Sequence, residues 1–170
     1  MRHQRPKGAE MSEQSFSHVD GDGKLLMVDV GHKTPSRRVA EAHCVVVTAL
    51  DINSLPVSSQ GFEPVVAARL AGIHAAKNTS QLIPLCHPLS LQNISVEVLA
   101  HSRGAEVRST VVTVDRTGVE MEALTACSFA ALSLLNSLLV LDPRASIEDA
   151  EVVSKSGGAS GDWVRRGDDY

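Results

Sequence analysis

The 170-residue chain has few aromatic residues, few cysteines and no excess of basic side chains. Its three cysteines, Cys44, Cys86 and Cys127, lie far apart and form no C-x-x-C pair, so the sequence predicts neither a disulfide framework nor a thiolate zinc site. This cysteine usage favours a reducing compartment, and we expect the protein in the cytoplasm. With 20 acidic and 16 basic residues the net charge is -4, so the chain lacks the strongly basic composition of a nucleic-acid-binding protein.

Long apolar runs are also scarce. The basic residues near the N-terminus are followed by no apolar stretch, so we expect no secretory signal. Residues 123–141 are the exception, because they contain no charged side chain over about the length that spans a bilayer. Polar residues interrupt this run and neither aromatic nor basic clusters flank it, so we expect a buried helix and no membrane partner.

The remaining pattern predicts one domain at residues 21–163, between a disordered N-terminal tail at residues 1–20 and a C-terminal tail at residues 164–170. Strands are predicted at residues 25–30, 38–50, 94–99, 106–115 and 145–153. Helices are predicted at residues 63–77 and 120–141. After the short first strand, this order is the split βαβ pattern of a ferredoxin-like α+β sandwich, βαββαβ, with an antiparallel sheet and helices on one face.

Two groups of titratable residues are candidates for chemistry. His87 lies on a loop that Pro84 and Pro88 constrain, and histidine readily exchanges protons near neutral pH, which suits a general acid or base. An ordinary surface-loop histidine is the alternative. Glu120 and Glu122 lie in the first turn of the long helix, where they either cap exposed N–H groups or face a pocket or a subunit interface.

A third candidate is the glycine-rich segment at residues 155–162, which begins with Lys155. Its backbone N–H groups suit a phosphate or carboxylate, although the order of a Walker A motif is missing and a flexible linker explains the composition equally well. The six histidines other than His87 show no metal-ligand spacing. We therefore expect neither a metal nor another cofactor.

Taken together, these segments resemble the molybdenum-cofactor biosynthesis protein C (MoaC) family, the cyclic pyranopterin monophosphate synthases. The resemblance rests on the runs MVDV (27–30), ARLAGI and AAK (68–77), LIPLCHPL (82–89), TGVEMEALTA (117–126), and KSGG with GD (155–162). These runs follow one another in family order from about residue 20 to residue 163. The resemblance is therefore specific to the family.

The resemblance implies a ferredoxin-like subunit in a hexamer, a trimer of dimers with active sites between subunits. Family members rearrange a cyclised dihydro-GTP into cyclic pyranopterin monophosphate and release pyrophosphate. By the same resemblance, His87 corresponds to the family's active-site histidine and Glu120 and Glu122 to its paired glutamates, so these three are the candidate catalytic residues. The candidate substrate-binding positions are Arg38, Lys77, Met121, Asn136, Leu139 and Lys155.

Three positions depart from the family pattern. The family carries an essential lysine eight residues before the arginine that corresponds to Arg69, and here that position is Gly61. On the long helix, Asn136 and Leu139 replace the family's catalytic aspartate and, three residues later, its catalytic lysine. Because general acid–base groups commonly contribute about 100- to 10,000-fold each, this loss predicts that the native family reaction is lost.

These departures predict a diverged enzyme that acts on a small molecule. The resemblance and the apolar surface of the long helix imply a homo-oligomer, a dimer or a hexamer. We expect a cyclase or rearrangement enzyme of specialised metabolism. Its substrate should be less phosphorylated and more apolar, because uncharged residues replace charged residues of the family's pocket. One alternative is an authentic cyclic pyranopterin monophosphate synthase of molybdenum cofactor biosynthesis. Another is a non-catalytic subunit that pairs with an active paralogue.

Overall fold

The computed structural model describes residues 18–55, 57, 61, 63–159 and 161–165. Five strands form one antiparallel sheet in the order β2-β3-β1-β4-β5. The strands are β1 (Ser36–Val47), β2 (Leu91–His101), β3 (Gly104–Asp115), β4 (Ser146–Ser156) and β5 (Trp163–Val164). The helices are α1 (Pro64–Lys77), the single turn α2 (Thr79–Leu82) and α3 (Glu120–Leu138), with a short 3₁₀ turn at Ile52–Ser54. The predicted ferredoxin-like α+β architecture is confirmed.

Side chains of β1 alternate between the two faces of the sheet, and one face carries the core. Ala40, Ala42, Cys44 and Val46 are buried against α3, which contributes a face of mostly small residues such as Ala126 and Ala130. The small side chains allow the two long helices to approach closely. At Gly72 of α1 an added Cβ would lie 2.6 Å from the carbonyl oxygen of Ala126 on α3, so this contact requires glycine.

The strand pairing places three chain segments at one end of the sheet. Ser36, at the start of β1, pairs with Asp115, at the end of β3. Val39 pairs with Ser156, at the end of β4. Since α3 begins a few residues after β3, its first turn lies at this same end, beside the glycine-rich segment that leaves β4. The antiparallel register therefore assembles the site from residues far apart in sequence.

The α3 helix matches the predicted buried helix, with slightly different bounds. It ends at Leu138, and Asp142 beyond it accepts hydrogen bonds from the Thr48 hydroxyl and the Ala49 N–H, 2.7 and 3.1 Å away. Within the part of the chain that the structure describes, α3 is the single helix long and apolar enough to cross a membrane. Half of the residues in its most apolar stretch are buried in the protein, as in a core helix.

One predicted strand is wrong. Residues 25–30 form no strand and contribute only the isolated bridge between Val19 and Leu25. Leu25 is 77% exposed, because no neighbouring strand covers this segment. Most of the predicted N-terminal tail, residues 1–17, lies outside the described residues, as do residues 166–170 of the C-terminal tail. The predicted domain boundary after residue 163 falls inside β5, whose Val164 pairs with Ser154.

Candidate active site

An ion pair connects the first turn of α3 to the end of β4. Lys155 Nζ lies 3.2 Å from Glu120 Oε1, and both side chains are about 30% exposed. Gly118, in the turn before α3, allows this geometry because a Cβ at that position would overlap the Glu120 carboxylate. The glutamate that the sequence predicts in this turn is therefore held at the rim of a cavity.

Arg38 is fixed at the start of β1 by two backbone carbonyl groups. Its Nε donates to the carbonyl oxygen of Asp115 at 3.0 Å, and its Nη2 donates to that of Arg116 at 3.2 Å. The backbone passes close to this guanidinium at Gly158, which has a φ of +82°. A Cβ at this position would overlap the Arg38 head group. Only glycine combines this backbone conformation with such a close approach.

These residues line a cavity of about 300 Å³, which we call the basic cavity. Among the described residues, its walls carry four cationic side chains, Lys33, Arg38, Arg116 and Lys155, and one carboxylate, Glu120. The Arg116 Nε donates to the carbonyl oxygen of Lys33 at 3.0 Å, which ties the segment carrying Lys33 to the cavity wall. Four positive charges against one negative charge favour a ligand with several negative charges, such as a phosphorylated one.

A second cavity of about 340 Å³, the acid–base cavity, adjoins the first. The two share Lys33, Thr117, Gly118 and Glu120 in their walls. The second cavity adds His87, Cys86, Glu122 and Met121. Residues able to transfer protons thus line a cavity that shares wall residues with the basic cavity.

Glu122 is the buried acid of this cavity. Only 4% of the surface of Glu122 is exposed. Burial, with a smaller contribution from the nearby Glu120 charge, raises the pKa of Glu122 from 4.5 to about 7, although a backbone hydrogen bond opposes the shift. Burial and the charge of Glu122 also raise the pKa of the Cys86 thiol. A carboxyl group that titrates near neutral pH suits a general acid or base.

A small third cavity of about 60 Å³ extends the site to the end of α1. Lys77 shares its wall with His87 and Glu122, and the buried Thr79 lies beside them. The single chain therefore groups seven of the predicted site residues around three cavities that share wall residues. They are Arg38, Lys77, His87, Glu120, Met121, Glu122 and Lys155.

Two predicted substrate-binding residues are not brought to these cavities by one chain. Asn136 and Leu139 are exposed near the far end of α3. At about 1.5 Å per residue they lie roughly 24 and 28 Å along the helix from Glu120. Gly61, the position of the missing family lysine, is also exposed and lines none of the described cavities. A single chain therefore does not place these three positions beside His87.

Lys33, Arg116 and Cys86 also line the site, although they are not among the site residues predicted from the sequence. Each one has a local signal, because Arg116 precedes the run TGVEME, Cys86 precedes His87, and Lys33 follows the run MVDV. That signal does not reveal which cations share a wall. Among the described residues, no group of three or more His, Cys, Asp or Glu side chains is arranged to hold a metal ion.

Comparison with known proteins gives one consistent result. A family model described as the MoaC family matches residues 27–158. The cyclic pyranopterin monophosphate synthase 2 of Mycobacterium tuberculosis H37Rv is 44% identical over 154 residues, which is 89% of this chain and 92% of the relative. The Streptomyces coelicolor cyclic pyranopterin monophosphate synthase is 42% identical over 165 residues, covering 95% and 96% of the two chains. A Trichodesmium erythraeum synthase of the same name is 45% identical over 162 residues, covering 89% and 94%.

Proposed function

Because the chain belongs to the MoaC family, we propose that it is a lyase that forms cyclic pyranopterin monophosphate from the cyclised dihydro-GTP used by the family. The observation that carries this proposal is that the basic cavity and the acid–base cavity share wall residues. The names of the relatives support this function better than a repurposed one. The proposal includes a cytoplasmic location and assembly from several copies of the chain.

The basic cavity supports a substrate that carries phosphate. Lys33, Arg38, Arg116 and Lys155 line one wall, and neither their number nor their grouping fits the less phosphorylated, more apolar substrate that the three substitutions predict. Planar guanidinium groups such as that of Arg38 suit phosphate oxygens in particular. The phosphates of the substrate would bind here, with its ring directed towards His87.

The acid–base cavity supports the rearrangement chemistry. Glu122, with a pKa of about 7, is partly protonated at neutral pH and can donate a proton, whereas Glu120 is paired with Lys155. Two carboxyl groups in different environments can therefore serve different roles. His87 and Glu122 line the same cavity, so we assign both to proton transfer and Glu120 to positioning of Lys155.

A second candidate function is a different ring-forming or rearrangement reaction in the same cavities. Gly61, Asn136 and Leu139 favour it, because these positions lack the charged groups of the family pattern. The retained cationic wall indicates that such a substrate would still be anionic. The two candidates therefore differ in the chemical step and agree on the class of ligand.

The decisive experiment supplies the purified protein with the cyclised dihydro-GTP and measures pyranopterin and pyrophosphate. The Streptomyces coelicolor synthase serves as the reference. We expect product, formed at least ~100-fold more slowly than by the reference because acid–base groups are missing, and none with His87→Ala. Restoring the family groups by Asn136→Asp with Leu139→Lys should raise the rate.

Two other outcomes would decide against this function. Tight binding of the compound without any turnover would favour the second candidate. Failure to bind it at all, in protein whose assembly and circular dichroism are normal, would contradict the proposed function.

A further inference from the structure

Cys44 and Cys127 form a thiol pair inside the core, away from the cavities of the proposed active site. Cys44 is on the central strand β1 and Cys127 is in the middle of α3, and neither has any exposed surface. Their Sγ atoms lie 3.0 Å apart. This is closer than ordinary contact between two sulfur atoms, and only about 1 Å of approach remains before the bonded distance of about 2.05 Å.

The other contacts of the two sulfur atoms are weak. Cys127 Sγ lies 3.4 Å from the carbonyl oxygen of Val107, and Cys44 Sγ lies 3.7 Å from the carbonyl oxygen of Cys127 itself. Small apolar side chains, including Ala42 and Ala126, belong to the same cluster. The surroundings therefore direct the two sulfur atoms towards each other without engaging them in strong competing interactions.

We propose that Cys44 and Cys127 are a site of reversible disulfide formation that joins strand β1 to helix α3. The oxidant is a small disulfide such as oxidised glutathione. One cysteine thiolate attacks a sulfur of the oxidant and releases one glutathione thiolate, and the second cysteine then displaces the other glutathione from the mixed disulfide. Both cysteines are oxidised, the oxidant is reduced to two molecules of glutathione, and the two cysteine protons leave with them.

Burial determines when this reaction takes place. The neighbouring Cys44 thiol and burial raise the pKa of Cys127, so the reactive thiolate is rare in the closed core. The oxidant is also too large to reach the pair in the folded chain. Oxidation should therefore occur during folding or through opening of the α3 layer, and it should be slow in the folded protein.

The bond would link residues 83 positions apart in the sequence. Closing so long a loop restricts the unfolded chain strongly, which stabilises the folded state. It would also fix the two elements that carry Arg38 and Glu122 relative to each other. The oxidised form should therefore resist unfolding more than the reduced form does.

The test uses the full-length Cys86→Ser variant, in which Cys44 and Cys127 are the only thiols. The protein is unfolded, refolded in a mixture of reduced and oxidised glutathione, alkylated in denaturant and examined by intact mass and peptide mapping. We expect a monomeric chain that takes up no alkylating group, with the peptides of Cys44 and Cys127 linked. The unfolding temperature should rise by roughly 5–15 °C relative to the reduced protein.

Matched controls are Cys86→Ser combined with Cys44→Ala or with Cys127→Ala, each of which leaves one thiol. These variants should keep a free or glutathionylated cysteine and show no rise in unfolding temperature. If the Cys86→Ser protein refolds and both of its cysteines are still alkylated at every glutathione ratio, the proposal is wrong. Linkage only between chains, or a lower unfolding temperature after linkage, would also contradict it.

Discussion

Lys155 Nζ lies 3.2 Å from Glu120 Oε1, so the last long strand and the first turn of α3 meet at the rim of the basic cavity. The pair is partly exposed, and exposed ion pairs contribute little to stability. The pair instead holds Lys155 at the wall of a cavity that three other cationic side chains line.

Replacing this lysine should weaken anion binding. We expect Lys155→Met to bind inorganic pyrophosphate at least ~10-fold more weakly in calorimetry, because a charge-assisted hydrogen bond is lost. Glu120→Gln should weaken pyrophosphate binding less than Lys155→Met does, because the loss of Lys155 positioning is offset by removal of a carboxylate from the wall of the basic cavity. Arg144→Met is the control, because Arg144 lines none of the described cavities. Equal weakening by Arg144→Met would mean that only net charge matters.

The glycine that crosses Arg38 provides a second test. Gly158→Ala should displace the Arg38 head group and weaken pyrophosphate binding, whereas Gly161→Ala should not. Both glycines have positive φ, +82° and +70°, but nothing lies within 4 Å of a Cβ at Gly161. Both variants bear the same backbone strain of about 1 kcal/mol. Equal weakening of pyrophosphate binding in both variants would indicate that backbone strain, and not the contact with Arg38, is responsible.

The buried carboxyl of Glu122 should make stability depend on pH. Its folded pKa of about 7 lies above its usual 4.5, so its favourable contribution is present below pH 4.5 and is lost as the pH rises through 7. The difference corresponds to about 3 kcal/mol between the two limits. Urea unfolding should therefore show Glu122→Gln to be more stable than the parent at pH 8.5 and not at pH 4. A parallel pH dependence in both proteins would contradict the shifted pKa.

On the opposite face of the sheet, Glu106 should have the reverse pH dependence. Burial opposes its ionisation, but hydrogen bonds from Arg108 at 2.8 Å and His43 at 3.1 Å lower its pKa overall. Its contribution is present above pH 4.5 and is lost as the pH falls through the lowered value. We expect Glu106→Gln to be less stable than the parent at pH 7. Its free energy of unfolding should also fall less than that of the parent as the pH is lowered. Glu63→Gln, an exposed change before α1 at a residue that makes no side-chain capping hydrogen bond, is the control and should change neither property.

Exposed apolar side chains on the helical layer should form a contact between copies of the chain. Leu70 of α1 is 62% exposed and Leu132 of α3 is 50% exposed. Light scattering should detect an oligomer for the parent protein and smaller particles for Leu132→Asp. Val164→Asp, at an exposed position on β5, should keep the assembly of the parent. A monomeric parent protein at micromolar concentration would contradict the proposed shared site.

The sequence alone determined the elements whose signals are local. The β-branched run of Val45, Val46 and Val47 produced a strand, and Pro64 opened a helix where proline costs no hydrogen bond. His87, Glu120 and Glu122 were identified as candidates from short runs of neighbouring residues, and one chain brings them together. Local propensity and short motifs are sufficient for such predictions because they involve residues close in sequence.

The tertiary structure decided everything that depends on distant partners. Residues 25–30 are apolar enough for a strand, yet no neighbouring strand is available to complete a ladder, so they form only a bridge. Lys33 and Arg116 line the same cavity as Lys155 because the antiparallel register brings three strand ends together. Glu122 acquired a pKa of about 7 through burial, and Cys44 met Cys127 through the packing of a helix on a sheet. Charge, burial and contact depend on the three-dimensional surroundings, which no short stretch of sequence contains.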